Sequence, residues 1–190
     1  MNSTHHDGSD RGFTLVELIV YCSLLVVVIS VVAGLFIGGL TATNRVRTMT
    51  AATTSAQALV DSIETNVRNS SGFTVATPSG TTDQFLVART AKRDATLTWQ
   101  CVAWYYSSAG EGSIRFKQSG AAITAPNSTD LTSWTLMKQG ITPRSGSTIF
   151  EVNGQQLAIT FNSRVSGYRP VVISGSAISR AGISGTPTCY

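Results

Sequence analysis

From Leu18 to Leu40 the chain reads LIVYCSLLVVVISVVAGLFIGGL, 23 residues without a charge. About 20 apolar residues cross the hydrocarbon core of a bilayer as a helix, so this stretch reads as a membrane span. The apolar region of a secretory signal is shorter, roughly 7–15 residues, and a core helix of a soluble domain keeps a polar side. Beyond the span, Thr41 to Asn69 becomes amphipathic. Val46, Met49, Ala52, Ala56, Leu59, Val60, Ile63 and Val67 recur at spacings of three and four, with Arg45, Arg47, Asp61, Glu64 and Arg68 between them. The pattern predicts one helix over 13–69, roughly 85 Å at 1.5 Å per residue, with 13–40 transmembrane and 41–69 amphipathic. Asn69-Ser70-Ser71-Gly72 reads as its stop, with Gly72 in the left-handed conformation.

From Phe73 onward short β-type runs alternate with Gly, Ser, Thr, Asn and Pro. Strands are predicted near Phe73–Ala76, Phe85–Ala88, Leu97–Tyr106, Ser113–Gln118, Trp134–Met137, Thr148–Val152, Gln156–Asn162 and Val171–Ser174. Asn153-Gly154 is the signature of a type I′ hairpin, a second hairpin is placed at Ser108 to Gly112, and Ala121 to Asp130 is a loop by composition. The expected fold class is therefore α+β, with a long N-terminal transmembrane and amphipathic helix packed on an antiparallel β-sheet head. Three segments follow: a polar leader over 1–12, the helix over 13–69 and a β-rich head over 70–190.

Composition changes this picture little. Apolar residues make up 42% of the chain, enough for a core in one domain. The net charge is +4, yet the 14 Lys and Arg residues are scattered, with no run longer than Lys92-Arg93. Nucleic acid therefore stays a minor option, carried by Arg89, Lys92, Arg93, Trp99, Trp104, Tyr105 and Tyr106 as a stacking and phosphate-contacting set. Both histidines, His5 and His6, precede the span, and no phosphate loop or nucleophile elbow is present. An enzyme is not expected, nor any cofactor. Asn127 to Asp130 offers at most a few oxygens to calcium, and no metal site is assigned.

Gly12-Phe13-Thr14-Leu15-Val16-Glu17, followed by Leu18-Ile19-Val20, resembles the prepilin cleavage and methylation motif of type IV pilins and pseudopilins. The resemblance implies cleavage between Gly12 and Phe13 by a prepilin peptidase/methyltransferase, which also N-methylates Phe13. It implies a cytoplasmic (inner) membrane protein with an extracytoplasmic head, first held in membrane lipid and then assembled with other pilin subunits through the helix. Independently, a carboxylate in an apolar span costs roughly 2.5–3.5 kcal/mol on insertion scales and calls for a partner. With no Lys or Arg in the span, the α-amine created at Phe13 is the nearest cation, and the resemblance places it on a neighbouring subunit. Glu17 is thus read as an assembly residue.

More weakly, the length and the order Trp99-x-x-x-Ala103-Trp104-Tyr105-Tyr106, then Ile114-Arg115-Phe116, are similar to minor pilins of the W or J type. Those subunits prime or tip a type IV pilus or a type II secretion pseudopilus. A major pilin, a competence-pilus component, and an anchored binding domain that never polymerises stand as alternatives. Gly34 and Gly38 give a GxxxG spacing, read as loosening the helix for packing. Cys22 is read as a small buried residue of the span. Cys101 and Cys189 are expected to form a disulfide closing 88 positions, worth about 4–5 kcal/mol in the chain-entropy account.

Overall fold

A helix that must bury one side does so every three or four residues, and Ala56, Leu59, Val60, Ile63 and Val67 are the buried positions of the single long helix, α1 (Leu15–Arg68). In this computed structural model, residues 14–92, 98–146, 148–179 and 189 are described. The chain divides into two compact units, Met1–Arg47 and Thr48–Tyr190. The expected architecture holds: the protein is α+β, one long apolar N-terminal helix followed by antiparallel sheets. The amphipathic stripe is covered only from its middle onward. Val46 is 62% exposed, whereas Ala56 and Ile63 are fully buried.

Among the described residues nine strands follow the helix: β1 (Ser70–Ala76), β2 (Gln84–Lys92), β3 (Thr98–Ser107), β4 (Ser113–Ser119), β5 (Thr135–Gln139), β6 (Ile141–Pro143), β7 (Phe150–Asn153), β8 (Gln156–Val165) and β9 (Tyr168–Ile178). The first five form one meander in the order β1-β2-β3-β4-β5. In the second sheet β8 pairs with β6 and β7 through successive stretches and also with β9. The main core joins the helix stripe to both sheets, through Leu86, Val102, Trp104 and Ile114 of the first and Phe150, Leu157, Ile159 and Phe161 of the second. Side chains alternate across a strand, so Phe85, Val87, Cys101, Ala103 and Tyr105 point to the other face of the first sheet. There they meet Ile123, Leu131, Trp134 and Cys189 in a smaller cluster.

Several local expectations are corrected. Gly72 does not end the helix: it is a β1 residue paired with Arg89, and it is not among the left-handed glycines of the described residues. Side chains close the helix instead. Asn69 donates to the Thr65 carbonyl from both its backbone N (3.2 Å) and its Nδ2 (2.9 Å), and Ser70 Oγ donates to the Val67 carbonyl at 2.7 Å, so polar side chains bond carbonyls of the last turn. The second-sheet hairpin also shifts by one residue. Asn153 pairs with Gln156, so the central residues are Gly154 and Gln155. Only Gly154 has positive φ, +60°, which is the pattern of a type II′ turn and not of type I′.

β6 was not expected, since a three-residue strand ending in proline carries almost no periodicity. Pro143 cannot donate to the ladder, and its carbonyl instead accepts from Asn162 Nδ2 at 3.1 Å. A short 3₁₀ helix, Asp130–Ser133, follows the predicted loop and precedes β5, which starts after Trp134 rather than at it. Residue 97 lies outside the described residues, and β3 is described from Thr98.

Two sets of contacts fix the sheets against each other and against the helix. Gln84, 2% exposed, spans the two sheets: its Oε1 accepts from Ile149 N and Phe150 N (2.9 Å to the latter), and its Nε2 donates to the Phe150 carbonyl at 2.9 Å. Near the β5 to β6 crossing, the Gly112 carbonyl accepts Gly140 N at 2.9 Å and Ile141 N at 3.3 Å. Gly112 has φ +76°, and a Cβ there would overlap the Ile141 carbonyl oxygen, so only glycine allows the close approach. At the end of α1, Glu64 Oε1 accepts Ser176 N of β9 at 3.0 Å while Arg68 pairs with the same carboxylate.

Candidate functional site

The start of α1 is built by local chemistry. Thr14 precedes the first helical residue, and its Oγ1 accepts the backbone N–H of Glu17 at 3.3 Å. This is an N-cap, with Glu17 at the third helical position. Thr14-x-x-Glu17 has the spacing of a capping box, a signal legible in the sequence that the apolar run masked. An acid in the first turn also complements the positive end of the helix dipole. One turn further on, Tyr21 Oη donates to Glu17 Oε1 at 3.3 Å. Thr14 thus holds the backbone of Glu17 and Tyr21 its carboxylate, the only charged side chain from Phe13 to Asn44.

The segment around them offers its apolar side chains outward. Leu15, Leu25, Val32 and Leu35 are each more than half exposed, and α1 contains a stretch long and apolar enough to cross a membrane. Its hydroxyls are satisfied within the helix: Ser23 Oγ donates to the Val20 carbonyl, Ser30 Oγ to Val26, Thr41 Oγ1 to Ile37 and Thr43 Oγ1 to Gly39. Such back-bonding lets polar residues sit where no water is available. Cys22 is exposed, not buried, because no other part of the described chain covers this face. A Cβ on Gly34 or Gly38 would touch nothing within 4 Å. Gly12 and Phe13, where processing is expected, lie outside the described residues, as does the leader.

After the Thr14 cap and the first-turn Glu17, α1 carries no charge from Leu18 to Asn44. Residues 8–33 match the family described as prokaryotic N-terminal methylation motif. The chain carries a prepilin-type N-terminus. No curated protein and no solved structure matches the chain. A prepilin-type N-terminus supports a structural subunit of the pilin and pseudopilin class, processed by a prepilin peptidase and assembled with other pilins. With the exposed apolar helix behind it, the motif fits an inner-membrane-anchored protein that enters a pilus. The motif occupies the N-terminal part alone, and the head matches nothing that would assign it a ligand.

In the head, the structure joins Cys101 of β3 to Cys189 by a disulfide, with Cα atoms 5.4 Å apart. The Cys189 carbonyl also accepts Ile123 N at 2.7 Å, so Cys189 is tied both to the sheet and to the loop that covers it. The basic and aromatic set is not brought together. Trp104 and Tyr106 are buried on one face of the first sheet and Tyr105 on the other, which leaves them unable to stack on bases. Arg93 lies outside the described residues. Of the set, Lys92 and Trp99 are exposed and Arg89 half-buried, its guanidinium 4.9 Å from the centre of the Trp99 ring.

Tyr105 has a structural role that sequence reasoning missed. Its Oη donates to Asp83 Oδ2 at 2.8 Å, and Asp83 Oδ1 accepts from Ser108 N and Oγ at 2.7 and 2.8 Å, which holds the Ser108 to Gly112 hairpin. Burial, reinforced by the Asp83 carboxylate, pushes the Tyr105 hydroxyl well above its ordinary range, and burial raises Tyr106 too. The oxygen of the sequence-suggested calcium loop is likewise occupied: Asn127 Oδ1 accepts Thr129 N at 3.0 Å and Asp130 N at 2.8 Å.

Proposed function

We propose that the protein is a minor pilin or minor pseudopilin that primes or tips a type IV pilus or a type II secretion pseudopilus. Glu17 carries the reading: it is the one charged side chain in the apolar stretch from Thr14 to Asn44, whose N-terminal part matches the methylation motif. Cleavage between Gly12 and Phe13 converts a peptide nitrogen into an α-amine with an ordinary pKa of about 7.7–8.0. N-methylation leaves that amine basic. In lipid, the cation and the Glu17 carboxylate of an adjacent subunit each lack water, so bringing them together removes two desolvated charges at once. The exposed apolar faces on the same helix then pack against neighbouring helices.

The minor role is supported by the similarity of the Trp99 to Tyr106 segment to the W or J type. It predicts that sheared filaments contain this chain at a few per cent of the principal subunit or less. Quantitative mass spectrometry of sheared filaments is the measurement, and a chain that makes up most of the filament would establish a major pilin instead. One observation favours an anchored domain that does not polymerise: Thr14 caps the helix at Glu17 and Tyr21 hydrogen-bonds its carboxylate, so Glu17 has local partners without a neighbour. Nucleic-acid uptake rests on Arg89, Lys92 and Trp99, without the buried aromatics, and is not favoured.

A further inference from the structure

We infer that Tyr21 is a positioning residue for Glu17, holding the carboxylate by one oxygen so that the other faces an incoming cation; this rests on the assembly role proposed for Glu17. The two side chains are four residues apart on one helix face, and the phenol donates to Glu17 Oε1 at 3.3 Å. The hydroxyls of Ser23, Ser30, Thr41 and Thr43 return to carbonyls of their own helix. A phenol extends too far from the backbone for that, and here it reaches a side chain instead. Thr14 takes the backbone N–H of Glu17 and not its carboxylate, so Tyr21 and Thr14 act on different parts of the same residue.

The consequence is kinetic and energetic at once. A glutamate has three rotatable side-chain bonds, and freezing such a side chain on association opposes binding. A hydrogen bond from the same helix freezes it beforehand. Ionised carboxylates accept at both oxygens, so Oε1 can remain with Tyr21 while Oε2 receives an ammonium from another chain. The acceptor is thereby presented in a fixed direction along one face of the helix.

Tyr21→Phe tests this, since it keeps the ring and deletes the hydroxyl. In the full-length protein, incorporation into filaments is expected to fall about three- to fifteen-fold, the span of one hydrogen bond between side chains in lipid, with membrane abundance unchanged. Infrared difference spectra of full-length protein in lipid vesicles supply the second readout. Tyr21→Phe should shift a carboxylate band, and the same substitution made on Glu17→Ala should shift none. An absent shift, or a shift with wild-type incorporation, would overturn the role of Tyr21. Wild-type incorporation by Glu17→Ala would overturn the reading of Glu17 itself, whereas a failing Glu17→Ala beside a normal Tyr21→Phe overturns the positioning role alone.

Discussion

Gln84→Met is expected to destabilise the head by about 3–5 kcal/mol. Methionine matches glutamine in length, so no cavity opens, and the loss isolates hydrogen bonding. Gln84 is nearly fully buried and serves three backbone groups of the neighbouring sheet: Ile149 N, Phe150 N and the Phe150 carbonyl. A buried group left without its partner costs about 1–3 kcal/mol, and these three lose theirs together. They lie at and just before the start of β7, the strand by which the second sheet approaches β1 and β2. Thermal unfolding of the full-length chain in micelles, followed by near-ultraviolet circular dichroism of the buried Trp104 and Tyr105, is the measurement. A midpoint lowered by roughly 10 °C or more is expected. A shift of only a degree or two would mean that these backbone groups are satisfied by water and that the sheets are held together by apolar packing alone.

Glu17→Ala is expected to lower filament incorporation at least tenfold while leaving insertion in the membrane intact or eased. The substitution is unusually clean here. Thr14 Oγ1 bonds the backbone N–H of residue 17, so alanine keeps the helix cap and removes only the carboxylate. Breaking one half of a desolvated ion pair costs more than the pair itself contributes, about 3–5 kcal/mol, because the remaining charge stays unpartnered. Removing a carboxylate from lipid by itself favours insertion. The two quantities should therefore move apart when sheared-filament and membrane fractions are compared with wild type at equal expression. If incorporation is unchanged, Glu17 serves only its own helix, as the Thr14 and Tyr21 contacts would allow.

The long helix was legible because its two periodicities are uncompromised: 23 uncharged residues, then the stripe that ends at Val67. The strands were legible where aromatic and β-branched residues cluster, as from Trp99 to Tyr106. Their ends were not, because tertiary pairing extends a strand through residues of weak local preference. β9 continues through Gly175 and Ser176, where the missing Cβ lets the backbone approach Val60 and Glu64 of α1. Gly72 was misread because a glycine after a polar run has the same signature at a helix stop and at an irregularity in strand pairing, here the register shift between Ser70 and Gly72.

At the site, Glu17 was conspicuous as a charge out of place, but its local partners were hidden. Thr14 looks like one more residue of the motif until the helix is known to start at Leu15. Tyr21 looks like one more apolar residue until its hydroxyl is placed. Gln84 carried no signal at all, since a polar residue ahead of Phe85-Leu86-Val87 looks like the edge of a turn. The pairing of Cys101 with Cys189 was available only from their number and position, and what it fastens, the loop carrying Ile123, emerged from the fold.

Processing at the N-terminus is the claim on which the others depend. Intact-mass spectrometry of the protein purified from cells that contain a prepilin peptidase measures it directly. The mass expected is that of a chain beginning at Phe13, increased by one methyl group, with a fragment ion placing the methyl on the Phe13 nitrogen. A chain that still begins at Met1 in those cells, or one cut within the apolar run near Gly34, would contradict the account.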